Sequence, residues 1–205
     1  MLKRDYRTRE EILGFFENLG VIYLSRTRID WEPLMQMNLR KSPYYIENRK
    51  EFDYLARRYG ADIDRAAIAP IYISRIDKTI GYGVFADNDI REGDFIGEYT
   101  GVVQISGKHT RCFKADSGHE SDYSWYYLDK LDKAPPLEIN GRLEGNEMRF
   151  VNHGQEPNLL VEHTLYRGQW VLFFIASRDI KKDEQLLISY GEAYWDEEYR
   201  DRQAI

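Results

Sequence analysis

Apolar residues recur at helical spacing from residue 8 to about residue 60. Ile12, Phe15, Phe16 and Leu19 share one face, and Gly20 supplies a stop. Residues 31–39, with Pro33 in the first turn, predict a second short helix. A third is expected from 43 to about 59, with Tyr45, Phe52 and Leu55 apolar and Arg57 and Arg58 near its C-terminal end, where cations are favoured. After Pro70 the pattern changes to short β-branched and aromatic runs broken by Gly and Asp. Strands are expected at 71–75, 83–86, 94–99, 101–105, 123–128, 137–140, 171–177 and 186–190. The stretch 106–121 is polar and reads as an exposed insert. The expectation is a mostly β fold with some α, in which a helical region over 1–68 precedes a core of short strands over 69–205.

A chain of 205 residues suffices for one domain with a sizeable core and a small appendage. A net charge of −6 argues against direct nucleic-acid binding, which calls for a basic surface, and favours a basic partner. The 16 tyrosines offer apolar bodies with polar tips, suited to packing or to lining a pocket. Cys112 is the single cysteine, so neither an intrachain disulfide nor a four-cysteine zinc cluster can form, and a reducing compartment is expected. His109 and Cys112 at three-residue spacing are half a zinc site, and no metal is expected. The N-terminus lacks the apolar run of a secretory signal, and no stretch approaches the ~20 apolar residues of a membrane span. A soluble protein, cytoplasmic where it is made and without a membrane partner, is the expectation; delivery by another signal stays open.

Four segments carry candidate chemistry. Gly81-Tyr82-Gly83-Val84-Phe85-Ala86 taken alone is a hairpin turn, and it lacks the third glycine of a dinucleotide fingerprint. The segment Glu92-Gly93-Asp94-Phe95-Ile96-Gly97-Glu98-Tyr99-Thr100-Gly101 reads as a turn into a strand. In Arg149-Phe150-Val151-Asn152-His153-Gly154-Gln155-Glu156-Pro157-Asn158, an Asn-His pair stands beside a Pro-Asn turn. The last, from Ile175 through Asp183 to Ser189-Tyr190-Gly191, brings a tyrosine out of a strand. By itself such a tyrosine is more often one that bonds a backbone carbonyl.

Together and in this order the four segments, spanning roughly 73–195, resemble the SET-domain protein lysine methyltransferase family, here without its cysteine-rich zinc segments before or after the core. The resemblance implies a β-clip-type core whose C-terminal strand passes beneath the Asn-His segment in a knot-like crossing, which ordinary connection rules disfavour. It implies S-adenosyl-L-methionine as cofactor, with Asn152 on its amino-acid end, His153 on its adenine, Arg149 and Phe150 supporting from below, and Gly81, Tyr82 and Gly83 close by. Tyr190 falls on the family's catalytic tyrosine, also touching the cofactor, and Tyr99 on the tyrosine that faces the active site. Trp195, with Tyr194, stands where it could complete the cofactor pocket or cap the core. Gly154-Gln155 replaces the family's usual Ser-Cys.

The implied activity is methyl transfer to a lysine amine in a basic protein, a histone-like tail first. Tyr99, Tyr126, Tyr127, Val161 and Ile188 are the expected substrate-channel residues. Ile188 occupies the family's aromatic switch position and hints at room for di- or trimethylation, unless Val161, Tyr123, Tyr126 or Tyr127 fills the space. Glu144, Glu147, Glu156 and Glu162, with Glu192, Asp196, Glu197 and Glu198, would steer a basic peptide or are simply solvated. A same-fold enzyme acting on a non-histone target or on itself, and a binding module without catalysis, are the alternatives. A nuclear or chromatin location follows if the protein is in, or delivered to, a eukaryotic cell. The region 1–68 is expected to pack on the core or to pair two subunits as a homodimer. The insert at about 106–140 and the aromatic segment 191–205 complete the expected domain.

Overall fold

The computed structural model describes residues 5–106, 123–127 and 134–190. Strand β1 (Asp5–Tyr6) leads into helix α1 (Arg9–Asn18). That helix starts at a reciprocal cap: Glu11 N–H donates to Thr8 Oγ1 at 3.2 Å and Thr8 N–H to the Glu11 carboxylate at 2.9 Å. Ile12, Phe15 and Phe16 are buried, and Gly20 with φ +68° turns the chain away. Two short strands follow, β2 (Ile22–Tyr23) and β3 (Arg28–Ile29), then 3-10 turns at Glu32–Gln36 and Leu39–Lys41 in place of the expected second helix. The expected third helix is broken at Asn48 into α2 (Pro43–Glu47) and α3 (Arg49–Asp64).

The core strands are β4 (Ile71–Arg75), β5 (Tyr82–Ala86), β6 (Phe95–Glu98), β7 (Val102–Ile105), β8 (Ser124–Tyr126), β9 (Leu137–Asn140), β10 (Glu144–Gly145), β11 (Asn152–His153), β12 (Leu159–Tyr166), β13 (Gln169–Ala176) and β14 (Leu187–Ile188). They form small sheets ordered β1-β4-β5, β12-β13-β6 and β3-β7-β9-β8, with two parallel pairs, β10-β2 and β11-β14. Each of the three N-terminal strands therefore completes a sheet of the core. The apolar face of α1 joins the same buried cluster as Val84, Ile96, Phe150, Phe174, Leu186 and Ile188. Phe52 of α3 joins that cluster too, while Leu55, Tyr59 and Ile63 pack on Phe173 and Ile175 of β13. The first 68 residues thus pack on the core through their described part, one of the two expectations for them.

The crossing implied by the resemblance is built by β11 and β14. They run parallel, with Asn152 opposite Leu187 and His153 opposite Ile188. Asn158, 1% exposed, closes the crossing from the other side. Its carboxamide accepts from Leu187 N–H at 2.8 Å and donates to Gln185 O at 2.8 Å and to the Glu184 carboxylate at 3.0 Å. A β-carbon on Gly154 would lie 2.7 Å from Leu187 Cδ1, so the small residue lets the two strands approach.

Candidate active site

The Asn-His strand is fixed at both ends. Before it, the 3-10 turn Glu147–Phe150 is capped by Asn146, whose Oδ1 accepts from Met148 N–H at 3.2 Å and whose Nδ2 donates to Glu98 O at 2.7 Å. Asn146 thus ties the turn to the end of β6, next to Tyr99. Phe150 anchors it in the core among Phe15, Phe16 and Tyr82, with ring centroids 5.4, 5.7 and 6.1 Å away. After the turn, the pairing of β11 with β14 delivers Tyr190 to His153. The backbone N–H of Tyr190 donates to His153 Nδ1 at 3.2 Å, and its hydroxyl donates to Val151 O at 3.1 Å. Because Nδ1 accepts, the proton of the neutral imidazole resides on Nε2. Burial lowers the His153 pKa from its ordinary value, which favours that neutral form.

The hairpin tip between β4 and β5 meets the same place. Gly81 has φ +83°, and Asn152 Nδ2 donates to Tyr82 O at 3.0 Å. A β-carbon on Gly83 would stand 2.9 Å from Gln185 Nε2 and 3.2 Å from Asn152 Nδ2. Tyr82, Gly83, Asn152, His153 and Tyr190 are therefore brought together, although 108 positions separate the first from the last.

A second group forms around Gly141. Tyr99 is 3% exposed and donates from its hydroxyl to Tyr123 O at 2.7 Å. Burial pushes its phenol far above the ordinary value; Arg149 works against that shift, and Tyr190 and Tyr123 add to it. Arg149 donates to Gly141 O and Arg142 O, both at 2.9 Å, and lies over the Tyr123 ring at 4.2 Å. Trp125, which no motif marks, has its ring 5.9 Å from that of Tyr99 and 6.2 Å from that of Phe174.

The remaining expected residues are scattered. Tyr126 is 80% exposed. Tyr127 is buried, with its hydroxyl accepting from Trp170 N–H at 3.2 Å and its pKa pushed up to about 12 by burial. Val161 is half-buried on β12 opposite Phe174, and Ile188 is buried in the core. The expected acidic field is thinner than its residue count. Glu144 pairs with Arg28 at 2.7 Å, Glu147 is buried under Tyr23, Glu162 is half-buried and Glu156 is exposed. Trp195, Tyr194, His109, Cys112 and the four acidic residues after Tyr190 lie outside the described residues. Among the described residues no group of three or more His, Cys, Asp or Glu is placed to hold a metal, and no helix is long and apolar enough to cross a membrane.

The family model described as "SET domain" matches residues 81–191, just over half of the chain. The chain belongs to the SET domain family. It is 36% identical over 123 residues to the human histone-lysine N-methyltransferase EHMT1, covering 58% of this chain and 9% of that protein. It is 29% identical over 119 residues to the histone-lysine N-methyltransferase EZH2 of Chaetomium thermophilum, covering 56% of this chain and 8% of that protein. The chain thus spans less than a tenth of the length of either relative. Among solved structures, ATXR5 in complex with histone H3.1 mono-methylated on R26 matches with a TM-score of 0.66 and 20% identity, covering 97% of this chain and 93% of that one. That likeness shows the fold, and it extends over the N-terminal region as well as the core.

Proposed function

We propose that this chain is an S-adenosyl-L-methionine-dependent protein-lysine N-methyltransferase acting on a basic, histone-like substrate. The observation that carries the reading is the β11–β14 pairing, which joins Asn152 and His153 to Tyr190 beside the Tyr82-Gly83 tip. The named relatives, which are histone-lysine N-methyltransferases, support it. Such a substrate implies a nuclear, chromatin-bound place of action.

The residues present fit the cofactor. Gly81 leaves open space at the tip, where a β-carbon would meet nothing within 4 Å, Asn152 keeps its carboxamide oxygen unbonded among the described residues, and a neutral His153 adds no positive charge to the site of a cationic cofactor. When bound, the cofactor supplies an electrophilic methyl group on sulfur. The chain's own task is to align a lysine amine and keep water out. Free lysine has a pKa of about 10.4, and the attacking nitrogen must have lost its proton. Tyr190 and Tyr99 each donate their hydroxyl hydrogen to a backbone carbonyl, Val151 O and Tyr123 O. A phenol oxygen that has donated its hydrogen can still accept from an amine N–H, which for Tyr99 would orient the nitrogen lone pair. Tyr99, with its acidity suppressed by burial, stays protonated and orients rather than removes a proton.

Incubation of the purified protein with radiolabelled S-adenosylmethionine and core histones tests this. Label on a histone lysine is expected, reduced about 100-fold or more in Tyr190→Phe. No label above the Tyr190→Phe control, in a protein that binds the cofactor, would sink the reading in favour of a non-catalytic binding module.

A further inference from the structure

Arg149 is 9% exposed, and burial pulls its pKa below the usual guanidinium value. It stays charged nonetheless, because a guanidinium does not give up its proton in a protein. Its bonds go to two backbone carbonyls, Gly141 O and Arg142 O, and its flat faces lie against Tyr123 at 4.2 Å and Phe150 at 4.7 Å. Among the described residues no carboxylate pairs with it. Carbonyls and ring faces solvate a cation without neutralising it, and an uncompensated buried charge is costly. A neutral amide could hold the same two carbonyls without that cost, so the charge itself calls for an explanation.

Its position supplies one. Gly141 is shared: Arg149 Nε bonds its carbonyl, and a β-carbon added there would stand 2.7 Å from the Tyr99 hydroxyl. Tyr99 bonds Tyr123 O, and the Tyr123 ring carries the guanidinium. The charge thus stands against Gly141 and Tyr123, directly behind Tyr99. We infer that Arg149 is a positioning residue that fixes Tyr99 and Tyr123 around Gly141, and that its permanent charge holds the incoming lysine amine neutral. This rests on the methyltransferase reading above.

A fixed cation disfavours the ammonium form of a neighbouring amine and so lowers its pKa. Among the described residues, the other titratable groups around it do not cancel the effect. Tyr99 is held protonated by burial and His153 neutral by burial. Tyr123 and Tyr190 are the remaining phenols. Glu98, next to Tyr99, accepts from Thr27 N–H at 3.1 Å, and Glu147 accepts from Tyr23 at 2.7 Å with Arg9 at 3.5 Å, so both carboxylates are engaged elsewhere.

The test is the single-turnover methylation rate against pH for wild type, Arg149→Met and Arg149→Lys, on a peptide from the histone that the wild-type protein labels. In Arg149→Met the midpoint of the ascending limb should move up by about one pH unit, and a peptide carrying the less basic thialysine should recover most of the lost rate. Arg149→Lys keeps a charge without the planar fork, so it should be slower with its midpoint unmoved. A folded, active Arg149→Met with an unmoved midpoint would overturn the inference, as would an equal shift in both variants. If Arg149→Met does not fold by circular dichroism, Arg149→Lys decides: a slower rate at the wild-type midpoint supports the charge, and a displaced midpoint rejects it. A wild-type protein that labels nothing would remove the methyltransferase reading itself; a labelling wild type with unmoved variants removes only the role of Arg149.

Discussion

The backbone N–H of Tyr190 donates to the imidazole Nδ1 of His153 across 37 positions of chain, at 3.2 Å. The bond needs a lone pair on Nδ1, so it survives only while His153 is neutral. Burial depresses the folded-state pKa of this histidine below its unfolded value of about 6.5. Above that value both states are neutral and the contact costs nothing. As pH falls the unfolded chain takes up the proton first, and the contact breaks once pH passes through the lower folded value. Cofactor affinity should accordingly be level above the unfolded value of about 6.5 and fall as pH drops through the lower folded one. In His153→Gln, whose side chain does not titrate, that acid limb should disappear. Titration calorimetry with S-adenosylmethionine at several pH values measures both curves.

Asn158 holds Leu187, Gln185 and Glu184 through one buried carboxamide. Removing it leaves a buried N–H and a buried carbonyl of the crossing without partners, each costing about 1–3 kcal/mol. Asn158→Ala should lower stability by about 2–4 kcal/mol in guanidinium unfolding. Asn158→Asp keeps the acceptor for Leu187 N–H but loses the donor to Gln185 O and sets a second carboxylate against Glu184, so it should not rescue.

Long periodic segments were readable from the chain, and short ones were not. The apolar faces of α1 and α3 and the run in β13 carry their own signal. Ile22-Tyr23 does not, because it becomes a strand only by lying parallel to Glu144-Gly145, more than a hundred positions away. β12 carries no clear strand signal because Glu162 and His163 interrupt its apolar pattern. Full-length pairing with β13 makes it a strand, and the Tyr44 hydroxyl at 2.7 Å from His163 Nε2 satisfies the polar edge. The expected third helix breaks where the Asn48 carboxamide turns back to Tyr44 O at 2.9 Å. In the candidate site, motifs marked Asn152, His153, Tyr99 and Tyr190, and the structure has them in two adjoining groups. Trp125 and Gly141 had no signal, since their approach to Tyr99 depends on the register of β8 and β9, with Trp125 opposite Ile139.

Gly141 provides a test of the Tyr99 group that leaves the Asn-His strand alone. A β-carbon there would stand 2.7 Å from the Tyr99 hydroxyl and 3.3 Å from Thr100 O. The Tyr99 ring is buried and cannot swing out to solvent, so Gly141→Ala must displace the hydroxyl from Tyr123 O. Methyl transfer should fall by about tenfold to a hundredfold, the loss expected from about 1 Å of misplacement, while cofactor affinity changes little. Single-turnover rates beside calorimetric cofactor binding separate the two quantities; equal losses in both would mean that the two groups of residues are not independent.

Glu147 is a carboxylate 2% exposed, with Tyr23 donating to it at 2.7 Å and Arg9 at 3.5 Å. Burial raises its pKa above the ordinary value; the turn's backbone, Tyr23 and Arg9 pull it back only in part. A folded-state pKa above the unfolded value of about 4.3 means that the folded protein binds the proton more tightly. The stability from this group is therefore fully present below that value and is lost as pH rises through the raised one. Glu147→Gln cannot titrate, yet its carbonyl can still accept from Tyr23. The stability of Glu147→Gln relative to wild type should consequently grow between pH 4 and pH 8. Glu98, also raised by burial, is common to both proteins and drops out of the difference. Guanidinium midpoints of the two proteins at each pH provide the measurement. A difference that stays flat would mean that Tyr23 and Arg9 fully offset the burial, leaving Glu147 with an ordinary carboxylate affinity for its proton.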